Sequence, residues 1–138
     1  MPVTESSPDH WSRAYLLLRL GIGLIFAIHG ARQFSAESYF NDLFLIWNAE
    51  VQSDLLRLFY AYLMPGVEII AGFLLCFGFL KRVAITVLYT LMTIWIISSI
   101  LLEYWQNMAS QILFFFILYW LYFKIHDDDW SFDSFLKN

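Results

Sequence analysis

The chain has 138 residues, of which 60% are apolar and only 14% charged, with a formal net charge of −4. A soluble domain carries about 25% charged residues, so this composition belongs in a membrane, and the length allows one domain. No basic patch suits a nucleic acid, and the single cysteine, Cys76, rules out an internal disulfide.

A polar leader over 1–12, MPVTESSPDHWS, precedes an apolar run interrupted by Arg19. No small-x-small cleavage site follows it, so the first helix, about 13–34, is expected to be retained. Trp11 and Tyr15 suit one membrane interface and Arg32 the other. Arg19, Gly23, Phe26 and Gly30 recur at helical spacing and share one face. A face with a charge and two glycines belongs against another helix rather than lipid.

Between the first two spans, Ser35 is a reasonable N-cap, with Glu37 in the turn that follows. Over about 36–48, Tyr39, Phe40, Leu43, Phe44, Ile46 and Trp47 gather on one side, with Ser38, Asn41, Asp42 and Asn48 towards the other. This pattern predicts a short amphipathic helix lying on the membrane surface.

The second helix, about 55–80, contains the stretch MPGVEIIAGFLLCFGFLKR from Met64 to Arg82, with one carboxylate, Glu68, near its middle. A charged side chain in hydrocarbon costs about 2.5–3.5 kcal/mol on insertion scales, so Glu68 requires a partner, a proton or a cavity. Pro65 removes a backbone donor three residues earlier and predicts a kink. Gly72, one turn later, permits close approach of another helix. Lys81 and Arg82 form a tight connection to the third helix, about 83–102, and a short turn leads to the fourth, about 109–125. The remainder, 127–138, is an acidic tail with Trp130, Phe132 and Phe135 placed to touch a membrane surface or a partner. The fold expected over 13–126 is therefore an all-α four-transmembrane-helix bundle with one interfacial helix between helices 1 and 2.

Arg13, Lys81, Arg82 and Lys124 fall at one end of such a bundle, which predicts that both termini are cytoplasmic. At about 1.5 Å per residue, Arg19 lies roughly 9 Å from that boundary, Glu68 roughly 18 Å and His29 roughly 24 Å. Side chains lean towards the amino end of their own helix, so on antiparallel helices His29 and Glu68 converge, with Arg19 as a possible third member. The functional reading is a site for a proton or a quinone head group. Beside it stands a structural reading, in which the polar residues fix helix packing. Thr86, Thr90 and Thr93 on helix 3 most simply bond their own backbone. Gln111, Tyr119, Tyr122 and His126 give helix 4 a broad polar face. His29 and His126 lie near opposite membrane faces, which disfavours a haem within one chain, and no Cys/His cluster suits a metal.

The pattern R-x-x-x-G-x-x-F-x-x-x-G at Arg19, Gly23, Phe26 and Gly30, with His29 before the last glycine and Arg32 beyond it, resembles the first helix of DoxX-like membrane proteins. Glu68-x-x-x-Gly72-x-x-Leu75-x-x-Gly78-x-x-x-Arg82 resembles the second-helix signature of that family. The resemblance spans roughly 13–125. Where many relatives place Lys, this chain has Arg32, which keeps the charge but does not readily release a proton. The resemblance implies a small bacterial inner-membrane protein near redox chemistry, since some DoxX and DoxD proteins are associated with quinone-linked thiosulfate oxidation or with complexes that recruit redox partners. With the buried polar residues read above, the candidate quinone-pocket residues are Arg19, His29, Glu68 and Gly72, with Glu68 and His29 handling the proton. Gly23, Gly30, Arg32, Pro65, Gly78 and Arg82 are the structural positions. No intrinsic cofactor or metal is expected, quinone apart. Three roles follow: a subunit of a quinone-linked oxidoreductase, a non-catalytic assembly subunit of a larger membrane complex, and a small-solute or proton carrier.

Overall fold

The computed structural model describes residues 8–35, 55, 58–101, 105, 108–127 and 133. The expected interfacial helix over 36–48 and most of the tail lie outside them. Helix α1 runs Pro8–Ser35. Its described part reaches back into the stretch expected to be a polar leader. Ser12 and Tyr15 in this first part are buried. Tyr15 faces the interior of the bundle. Its hydroxyl donates to the Leu121 carbonyl at 2.8 Å and its ring stacks on Trp120, tying α1 to the last helix.

The second apolar stretch is not one regular helix over 55–80. A π-helical turn, Phe59–Leu63, leads into α2, Met64–Phe77. The Met64 N–H bonds the carbonyl of Phe59, five residues back, so the helix widens just ahead of Pro65. The proline ring would otherwise crowd the carbonyl four residues earlier, and a π turn is one way a helix accommodates it. Helix α2 stops at Gly78, whose φ of 67° is left-handed. Gly78 N–H bonds the Leu75 carbonyl and Phe79 N–H the Leu74 carbonyl, a Schellman closure that glycine makes without a Cβ penalty. Lys81 and Arg82 accordingly open the next helix instead of joining two.

Helix α3 spans Lys81–Leu101 and α4 Met108–Phe123, followed by a 3₁₀ turn at Ile125–Asp127. Thr86, Thr90 and Thr93 each donate to the carbonyl four residues earlier, so the threonine stripe serves its own helix. Three spans, His10–Phe34, Phe59–Phe77 and Lys81–Leu101, are long and apolar enough to cross a membrane. The 16 residues of α4 reach about 24 Å, somewhat less than a bilayer's apolar layer.

Helix α1 packs along α2, α3 packs against both α2 and α4, and α4 closes back on α1 through Tyr15–Trp120 and Phe26–Phe114. The core holds Phe26, Met64, Leu75, Ile85, Leu88 and Leu118. Large apolar side chains face outward in every helix, among them Leu17, Ile70, Phe77, Ile97 and Phe116. Water would tolerate so much exposed apolar surface poorly, whereas lipid accommodates it. This is an all-α bundle of a membrane protein.

At one end of the bundle the tail returns to the α2–α3 turn. The Asp133 carboxylate accepts from the backbone N–H groups of Leu80 at 2.9 Å and Lys81 at 3.0 Å, and the Asp133 N–H bonds the Gly78 carbonyl. An acidic group at a helix N-terminus meets both the orphan donors and the dipole. Arg82 donates to His126 Nε2 at 3.1 Å nearby.

Candidate functional site

The site is built on the seam between α1 and α2, and glycines set how close the two helices come. A Cβ on Gly72 would lie 2.6 Å from the Gly23 carbonyl oxygen and 2.7 Å from the Ala27 nitrogen. A Cβ on Gly23 would lie 2.7 Å from the Gly72 carbonyl oxygen, so the two glycines exclude side chains reciprocally. Gly30 faces the Pro65 carbonyl and the Glu68 Cβ in the same way. Gly72 is thus covered by α1, and the room expected beside it for a head group is filled by Gly23 and Ala27.

Close approach brings His29 and Glu68 together. Nδ1 of His29 lies 2.9 Å from Oε2 of Glu68. Glu68 is wholly buried, while the His29 side chain is 52% exposed on the outer surface of the bundle. The second carboxylate oxygen, Oε1, is buried and meets no hydrogen-bond partner among the described residues. Desolvation of such an atom costs about 1–3 kcal/mol, more for a charged group, so an orphan of this kind calls for an explanation. The pair is therefore half-finished: one oxygen is engaged, the other is not, and the imidazole reaches the surface.

Gln33, one turn beyond His29, is buried, and its Nε2 lies 3.0 Å from the same His29 Nδ1. The sequence reading passed over it. Its signal was position alone, since residues four apart on a helix are neighbours.

Arg19 belongs to a different place. It is buried, and its Nη1 donates to the Leu75 carbonyl at 3.0 Å. Leu75 lies in the last turn of α2, where its carbonyl also accepts from Gly78 N–H and the dipole favours a cation. Ten residues of α1 separate Arg19 from His29, about 15 Å of rise, so the side chain does not join the pair as a third member. Arg32 lies in the last turn of α1, with its cation at that helix's negative end. Pro65 and Gly78 bound α2, and Arg82 lies near the opposite end of the bundle from His29.

A second polar cluster sits on the far side of α2. Tyr60 in the π turn shares a hydrogen bond with Ser98 at 2.8 Å, and its ring meets Trp95 edge-on. Ser99 and Gln111 bond each other at 3.1 Å and link α3 to α4.

The sequence profile of the DoxX family matches residues 14–105, two thirds of the chain. The chain belongs to the DoxX family. The match covers α1 through α3 and leaves α4 and the tail beyond it, less than the expected reach to about residue 125. No curated protein and no solved structure is similar to the chain.

Proposed function

We propose that this DoxX-family protein is a subunit of a membrane complex in which His29 and Glu68 receive a quinone head group from the bilayer and handle its proton. One observation carries the reading: a half-exposed imidazole at the apolar surface is held from behind by a wholly buried carboxylate with one unpartnered oxygen. A structural polar pair would be expected to close on itself, because an unsatisfied buried acceptor weakens the packing it serves. A quinone suits the arrangement because its ring travels in lipid while its oxygens exchange hydrogen bonds and protons. The electron donor or acceptor would lie in a partner subunit.

The expected home is the bacterial inner membrane with both termini cytoplasmic. The basic residues Arg13, Lys81, Arg82 and Lys124 near one end of the bundle support that orientation. The assembly-subunit reading draws on a different observation, the burial of Glu68 against the glycine seam, which also suits a residue that only locks α1 to α2.

Titration of the purified protein in mild detergent with decylubiquinone, followed by tryptophan fluorescence, tests the proposal. Saturable quenching is expected, weakened at least about tenfold in His29→Leu, the factor that corresponds to one good hydrogen bond. Absence of saturable binding to the wild-type protein, or unchanged binding in His29→Leu, would remove the quinone site and leave the assembly role. Pull-down from native membranes then identifies the partner, with a redox enzyme in near-stoichiometric yield as the expected result.

A further inference from the structure

In the half of the bundle away from Lys81, two buried polar atoms make no hydrogen bond among the described residues: Oε1 of Glu68 and the indole Nε1 of Trp95. Their chemistry is complementary, since an indole nitrogen only donates and a carboxylate oxygen accepts. Each sits on the inward stripe of its helix. Met64, Glu68, Ala71 and Leu75 are buried on α2 at i, i+4, i+7 and i+11. Leu88, Met92 and Ser99 are buried on α3, and Trp95 fills the i+7 place in the same repeat.

The two atoms also reach a common depth. Counted from the turn that joins α2 to α3, the Glu68 Cα stands about 15 Å along the bundle and the Trp95 Cα about 21 Å. Helical side chains lean towards their own amino end, so Glu68 leans away from that turn and Trp95 leans towards it. The same lean underlies the observed contact of His29 with Glu68. Here it carries Oε1 and Nε1 to about 18 Å, on stripes that face each other across the core. The two do not bond each other directly. A buried water typically has about two to four polar partners, and a donor facing an acceptor supplies the first two. We propose that a buried water bridges Glu68 and Trp95, accepting from the indole N–H and donating to Oε1 of the carboxylate.

The water site goes beyond the quinone reading and does not depend on it. Oε2 of Glu68 is engaged by His29, whose ring reaches the bundle surface, while Oε1 is turned to the interior. The carboxyl group therefore has a proton partner on each side. A proton leaving the imidazole breaks an N–H bond and forms an O–H bond on Glu68. Turned inward, that O–H exchanges its proton with the water, and no electron moves. Trp95 is a positioning residue in this arrangement, because its single donor fixes where the water sits. Tyr60–Ser98 and Ser99–Gln111 lie about one turn further along α3 and extend the polar layer towards the far end of the bundle.

The test is NMR of the full chain in detergent micelles, labelled at the indole nitrogens and at the glutamate carboxyl carbons. Trp95→Phe identifies the Trp95 line and Glu68→Gln the Glu68 line. In the wild type the Trp95 indole proton is expected downfield, with a cross-peak to water whose sign marks a bound molecule rather than exchange. That cross-peak should vanish in Glu68→Leu, and Trp95→Phe should shift the Glu68 carboxyl line. A wild-type indole proton that lies upfield and has no water contact is directed at the Tyr60 ring, which Trp95 meets edge-on. This result overturns the proposal whether or not the variants fold. A water contact that persists in folded Glu68→Leu, with the Glu68 line unmoved in folded Trp95→Phe, gives the water to Trp95 alone and overturns it too. No quinone enters these measurements, so failure of decylubiquinone to bind would remove the quinone reading and leave the water site to be decided by the spectra.

Discussion

Arg19 and Glu68 lie on the same pair of helices, both are buried, and both are ionisable, yet their surroundings differ in kind. Arg19 meets a carbonyl in the last turn of α2, a fixed partial negative charge that the fold supplies in any case. Glu68 meets a histidine that is half outside the bundle and keeps one oxygen without a described partner. Arg19 ties α1 to the end of α2, whereas Glu68 is tied to an imidazole at the bundle surface. Burial therefore does not separate structure from chemistry along this seam. What separates them is the partner: a backbone carbonyl inside the bundle for Arg19, a side chain that reaches the surface for Glu68.

The seam itself should be the most sensitive region. Gly72→Ala places a methyl against the backbone of Gly23 and Ala27, atoms that cannot rotate away. A loss of about 3 kcal/mol is expected, at the upper end of ordinary overpacking, read as a large fall in Tm or in folded yield. Gly21→Ala is the control, because its added Cβ meets nothing within 4 Å. It should leave Tm unchanged or raise it slightly through helix propensity. Equal effects of the two substitutions would contradict the close approach on which both buried groups depend.

Arg19→Met comes next. It removes a charged hydrogen bond to the Leu75 carbonyl and should cost about 2 kcal/mol in stability. Quinone binding by the protein that remains folded should stay close to wild type, since Arg19 lies away from His29. Selective loss of binding without loss of stability would move Arg19 into the site and dissolve the contrast.

Asp133→Ala should have a smaller effect, about 1 kcal/mol, the usual worth of a helix N-cap. It acts at the α2–α3 turn, so an unaltered quinone titration is expected alongside the modest fall in Tm. Gly78 shares this turn, but Asp133 reaches it from more than fifty residues away in sequence.

These cases mark what a reader of the sequence can and cannot see. The apolar spans and the convergence of His29 with Glu68 follow from rise per residue and the lean of helical side chains, both local rules. Gly23, Gly30 and Gly72 were legible as contact positions because glycine has few other uses inside a membrane helix. The end of α2 was misplaced because Lys81 and Arg82 looked like a boundary, whereas the left-handed Gly78 makes the turn. The π turn was visible only through Pro65, which announces a disturbance without specifying its form. The length of the Arg19 side chain makes it a candidate third member of the pair, and only the three-dimensional end of α2 reveals its partner. Tyr15 and Asp133 were opaque for a simpler reason. Their partners, Leu121 and the 78–81 turn, are set by how distant elements pack and leave no periodic trace.

The most direct measurement sets Glu68→Gln beside Arg19→Met in one experiment, recording thermal stability and decylubiquinone affinity for each. Glu68→Gln keeps the size of the side chain and a hydrogen-bonding partner for His29, so its Tm should remain within a few degrees of wild type while affinity falls at least about tenfold. Arg19→Met should show the opposite pattern, with Tm falling and affinity retained. If Glu68→Gln instead lost stability while the surviving protein bound quinone normally, Glu68 would be a packing residue and the proposed site would not exist.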